Sequence, residues 1–110
     1  MSGVEAEERF AALVDTLAGE PGVQPPQPSQ GRLFGAATLK VNGKIFAMLA
    51  QGSLVVKLPA ARVRELIAAE AGGPFDAGKG RPMREWLTAA PEADWQNLAR
   101  EALKFVRTKT

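Results

Sequence analysis

Between Leu33 and Leu58 the chain reads LFGAATLKVNGKIFAMLAQGSLVVKL, three short apolar stretches broken at Asn42-Gly43 and Gln51-Gly52. Asparagine or glycine at such breaks supplies the positive φ angles that tight hairpin turns require, so the segment predicts a three-stranded antiparallel meander. A two-residue loop at Asn42-Gly43 pairs Val41 with Lys44 and puts Leu39, Val41, Phe46 and Met48 on one face, the core face. For Leu54, Val56 and Leu58 to join them, the second loop needs an odd number of residues, such as Gln51-Gly52-Ser53 with a bulge. A slip of one residue reverses the faces. This register sends Thr38, Lys40, Val55 and Lys57 to the opposite face beside Ile45, Ala47 and Leu49. A partly apolar face of this kind rarely stays bare in a monomer.

Helical periods flank the meander. Ser2 and Glu5 have capping-box spacing, and Phe10, Leu13, Val14 and Leu17 recur at helical intervals, predicting an amphipathic helix over 3–18 that stops at Gly19 and Pro21. Pro21 to Gln30 holds four prolines and no charge, the composition of a stiff extended connector; its PxxP spacing at Pro25 and Pro28 is read as spacer chemistry. Pro59 suits a first helical turn, and Val63, Leu66, Ile67 and Glu70 mark a face, predicting a second helix over 59–71 that ends at Gly72-Gly73. Phe75 and Met83 to Thr88 read as two further strands joined by the loop Gly78 to Pro82. After Pro91, Glu92 and Asp94 precede Trp95, Leu98, Ala99, Ala102, Phe105 and Val106, a third amphipathic helix with carboxylates at its positive end. The expected fold is α+β: an antiparallel sheet of about five strands, meander plus hairpin, flanked by N-terminal, middle and C-terminal helices. At 110 residues one domain over 1–110 is expected, with the proline-rich connector at 21–30.

Composition narrows the chemistry. The chain has no cysteine and no histidine, so disulfides, thiolate nucleophiles, an imidazole base and nitrogen or sulfur metal ligands are excluded. The acidic start lacks the basic, apolar profile of a secretory signal, and the longest apolar run, Ile45 to Ala50, is too short to span a bilayer, so a cytoplasmic protein without membrane contact is expected. Residues 1–20 carry five carboxylates against Arg9, so a net charge of +2 leaves about +6 on the remainder.

Asp76 and Glu85 are the carboxylates nearest to a candidate catalytic pair, and two acids within ten residues commonly occur without acting together. An enzyme or small-ligand carrier built on them is the weakest of three readings, and no enzyme, cofactor or metal is expected. Gly73 to Gly80 imitates a phosphate-binding loop, yet Gly80 replaces the hydroxyl that ligates magnesium, and Pro82 precedes a strand where a helix is needed. Lys79, Arg81 and Arg84 cluster at the hairpin, and Arg100, Lys104 and Arg107 form one stripe of the last helix; together they are the candidates for low-specificity nucleic-acid binding. Base stacking there needs an exposed tryptophan beside the cations. Trp95 falls on the apolar stripe of its helix, and Trp86 alternates with Arg84 and Thr88.

Leu33-Phe34-Gly35, the Asn42-Gly43 turn, Ile45-Phe46-Ala47-Met48, and Gly52 with Leu54-Val55-Val56-Lys57 together resemble the N-terminal domain of TfoX/Sxy-type competence regulators. Met83 to Leu87 and Trp95 to Val106 are similar to small stand-alone members of that group, related in fold to MmcQ/YjbR-like proteins. The resemblance covers about residues 5–106. It implies an α+β domain with a curved antiparallel sheet, a link to transcription regulation, and no catalytic residues. The chain ends at Thr110, leaving no room for the C-terminal helical domain of the full-length regulators, so their competence role is not expected. The resulting expectation is a non-enzymatic binding or regulatory module. It works through protein contact or self-association at Thr38, Lys40, Ile45, Val55 and Lys57, with nucleic-acid binding as the alternative.

Overall fold

The computed structural model describes residues 2–24, 37–50, 52–75 and 83–109. The connector beyond Gln24, the Leu33-Phe34-Gly35 segment, Asp76, Lys79, Arg81 and the capping side chains of Ser2 and Glu5 lie outside the described residues. Helix α1 (Ser2–Leu17) buries Ala6, Phe10, Leu13 and Leu17, one stripe at helical spacing. A short strand, β1 (Val23–Gln24), follows where the sequence predicts only connector. Its residues pair with Val41 and Lys40, the Asn42 amide donates to the Gly22 carbonyl (3.1 Å), and the Gly43 amide donates to Gln24 Oε1 (2.9 Å). Two residues carry no alternation, which is why this strand leaves no mark in the hydrophobic pattern.

Strands β2 (Ala37–Val41), β3 (Lys44–Ala50) and β4 (Ser53–Lys57) form the meander. Helix α2 (Ala60–Ala68), β5 (Gly72–Phe75), β6 (Met83–Ala89) and α3 (Trp95–Lys109) complete the described elements. The six strands form one sheet in the order β1-β2-β3-β4-β6-β5, every adjacent pair antiparallel. The sixth strand relative to expectation is β1. Helix α2 ends three residues sooner than its apolar period suggests. Glu70 adopts φ 63°, its amide donating to the Ile67 carbonyl (3.0 Å), and Gly72-Gly73, expected as the stop signal, instead open β5.

The meander keeps the expected Val41–Lys44 pairing but places its extra residue differently. Asn42 (φ 53°) and Gly43 (φ 84°) close the first turn, and Ala50 pairs with Ser53, so the second loop has two residues, with Gly52 at φ 78°, rather than the three of Gln51-Gly52-Ser53. The odd residue sits inside β3. Lys40 pairs with Ile45 while Leu39 pairs with Ala47, so Phe46 is the additional residue of a β-bulge. From that point the faces of β3 exchange: Ala47 and Leu49 turn to the core with Leu39, Leu54 and Val56, and Met48 turns away beside Thr38 and Val55. Met48 is thus removed from the expected core face, and Ala47 and Leu49 from the expected outer face. Phe46 stays fully buried.

One contiguous core joins these side chains to α1, to Val63 and Leu66 of α2, to Leu87 and Ala89 of β6, and to Trp95, Leu98, Ala99, Ala102, Leu103 and Val106 of α3. Leu103 completes the stripe of α3, and Phe105 is only partly buried. Helix α3 packs across β2, β3 and β4, α1 on β3 and β4, and α2 on β5 and β6. All three described helices therefore cover the same face of the sheet.

Candidate protein-interaction face

The face turned away from the helices follows from the strand register. Thr38 pairs with Met48, Met48 with Val55, Val55 with Thr88, and Thr88 with Gly73, which makes one row across five strands. Lys40 with Ile45, and Lys57 with Trp86, form the neighbouring positions. The five candidates Thr38, Lys40, Ile45, Val55 and Lys57 share this face. Four of them are half-buried, while Val55, between its cross-strand neighbours Met48 and Thr88, is 1% exposed. Val55 belongs to the floor of the face and is not a free contact residue. It stands apart from the continuous core on the helix side.

Trp86 and Phe75 add an aromatic corner. Their rings lie 6.4 Å apart at a tilt of 53°, an edge-to-face style of packing favoured by the ring quadrupoles. Lys57 Nζ lies 5.6 Å from the Trp86 ring centroid, within cation–π range. A shallow depression at this corner is lined by Lys57, Ala60, Arg84, Glu85 and Trp86. Glu85 Oε1 stands 4.0 Å from Lys57 Nζ, a loose pair between partly exposed groups, while the Glu85 carbonyl accepts from the Leu58 amide (2.9 Å). Arg84 is exposed.

The strand order is what brings these groups together. Alternation of Arg84, Trp86 and Thr88 is visible in the sequence, but it does not say that β6 lies beside β4 rather than at the margin. The second basic group is not part of this surface. Arg100, Lys104 and Arg107 belong to α3, on the other side of the sheet; Arg100 and Lys104 are exposed, and Arg107 Nη1 lies 3.6 Å from Glu20 Oε1. Arg84 and the α3 stripe therefore do not form one continuous basic surface.

Trp95 is buried, and its Nε1 donates to the Ala90 carbonyl (3.1 Å). Arg62 spans α2 and α3, donating to both carboxylate oxygens of Glu101 at 3.0 Å. Hydrogen bonds to Glu101, then to Glu65, raise its already high pKa further. Among the described residues there is no group of three or more potential metal ligands, and no helix is long and apolar enough to cross a membrane. Comparison with protein families, with curated proteins and with solved structures finds no match to this chain.

Proposed function

We propose that the chain is a non-enzymatic binding module that docks a protein partner on the open face of its sheet, in the setting of transcription regulation that its resemblance to TfoX/Sxy N-terminal domains suggests. That family assignment is part of the proposal and rests on the meander and the Met83 to Val106 segments. One observation carries the docking reading: the described helices all pack on one face, whereas Ile45, Met48, Phe75 and Trp86 stay partly exposed on the other with no described helix over them. Partly exposed apolar and aromatic side chains on a sheet resemble the centre of a protein interface, where aromatic residues and methionine are enriched. The absence of histidine and cysteine from the sequence supports binding over catalysis.

A photo-crosslinking residue in place of Met48, used in cells, tests this, with the same residue in place of exposed Ala11 of α1 as the control position. The expected result is a discrete adduct from position 48 that disappears when Lys40→Glu and Lys57→Glu are added to a chain that still folds. Equal labelling from both positions, or an adduct indifferent to those reversals, overturns it.

A further inference from the structure

Among the described residues, the face turned away from the helices carries its charge at one end. Strands β2 and β4 run in the same direction, both antiparallel to β3; Lys40 lies one residue from the end of β2 and Lys57 is the last residue of β4. On β6, which runs the other way, Trp86 is opposite Lys57, and Arg84 lies two residues farther toward the same end. Lys40, Lys57 and Arg84 thus form a band across the strand ends, about 14 Å wide from β2 to β6 at the usual strand spacing. The next row, Thr38, Met48, Val55 and Thr88, and the far end at Ala50 and Ser53 are uncharged.

Resting on the docking reading above, we infer that the partner is an acidic extended peptide segment, with carboxylates on Lys40, Lys57 and Arg84 and an apolar or aromatic side chain seated against Trp86 and Phe75. About five extended residues span the band. A second copy of the chain is disfavoured by the same charges. Face-to-face pairing with the two bands together sets three cations opposite three, against a single described carboxylate per band, Glu85, which already stands beside Lys57, and pairing with the bands apart lays them over neutral threonine and serine. A phosphodiester chain is disfavoured by the apolar side chains beside the band, Ile45, Met48 and Phe75, which are partly exposed and which a peptide side chain can cover while a sugar-phosphate backbone cannot.

The test uses the full chain and follows its two indole N–H signals and the Lys40 and Lys57 amides by NMR. Three probes are added separately: a capped Asp-Leu-Asp-Phe-Asp-Leu peptide, its Asn-Leu-Asn-Phe-Asn-Leu counterpart, and an oligouridylate. The aspartate peptide is expected to move the Trp86 indole and leave Trp95, hydrogen-bonded inside the fold, in place. Its half-saturation at low salt is expected about tenfold below that of the asparagine peptide, with the gap closing at high salt. Lys57→Glu with Arg84→Glu is expected to weaken it by about tenfold with the Trp95 signal unchanged. Equal binding of both peptides overturns the acidic chemistry and leaves sheet-face docking standing. Saturation by oligouridylate at lower concentration than the aspartate peptide overturns the inference in favour of nucleic acid. If no probe moves Trp86 while position 48 still crosslinks in cells, the peptide chemistry alone fails; if position 48 is also silent, the docking reading fails with it.

Discussion

The guanidinium of Arg9 lies over the ring of Trp95, 3.8 Å from its centroid, and joins the N-terminal helix to the start of the last one. From there Arg9 donates to the carbonyls of Pro91 (2.7 Å) and Ala93 (3.1 Å). These are the residues that lead into α3, so one side chain holds a turn, an aromatic ring and a helix start in place. Arg9→Ala is expected to lower stability by about 1–2 kcal/mol through loss of the cation–π contact and two charge-assisted hydrogen bonds. Arg9→Lys is expected to recover less than half, because an ammonium cannot stack and fork at once. Urea unfolding of the three proteins checks this; equal stability of all three removes Arg9 from the clamp.

The Arg62–Glu101 pair ties α2 to α3 and predicts a small, salt-sensitive effect. Its groups are 38% and 30% exposed, so Glu101→Gln is expected to cost about 0.5–1 kcal/mol, less at high salt. Partner hydrogen bonds raise the Arg62 pKa, and a raised folded-state pKa gives stability that is lost only as pH rises through it. That range is above any in which the chain is handled. Arg62 deprotonation therefore adds no slope to stability between neutral pH and pH 10, which thermal melts across that interval will show.

Gly72 and Gly73, adjacent in β5, are expected to behave differently. A Cβ on Gly72 meets the Thr88 carbonyl oxygen at 2.5 Å and Leu87 Cδ1 at 2.9 Å, whereas one on Gly73 meets nothing within 4 Å. Gly72→Ala is expected to cost about 2 kcal/mol by forcing β5 away from β6, and Gly73→Ala to be neutral or mildly stabilising by restricting the unfolded chain. Denaturant midpoints of the two variants decide it; similar losses from both break the assignment.

The bulge at Phe46 gives a test of face assignment. Leu49 is buried at 5% exposure and Met48 is half-exposed on the other face. Leu49→Lys is expected to cost more than about 3 kcal/mol or prevent folding, because it buries an unpaired charge. Met48→Lys is expected to remain within about 1 kcal/mol of the parent. Thermal unfolding of both separates the bulged register from a regular one, which predicts the reverse order.

The need for one extra residue in the meander was legible in the sequence, because Leu39, Val41, Leu54 and Val56 reach one core only if parity is broken once. Its location was not. A bulge depends on how the buried Phe46 fits the core, a tertiary demand that competes with turn chemistry. The three helices were legible from stripes such as Phe10, Leu13 and Leu17. The end of α2 was not, since Glu70 in the left-handed region does what Gly72 was expected to do. Of the candidate face, Thr38, Lys40, Ile45 and Lys57 followed from alternation alone. Phe75, Arg84 and Trp86 required the knowledge that β4 and β6 are neighbours, a non-local pairing that alternation within one strand does not encode.

The β5 margin of the sheet is a poor template for another strand. It contains Pro74, which has no amide hydrogen to donate. Lateral growth by backbone pairing is therefore discouraged at that border, next to the aromatic corner of Phe75 and Trp86. A partner that reaches this corner is steered toward side-chain recognition, which can discriminate between partners, and away from main-chain pairing, which accepts almost any extended strand.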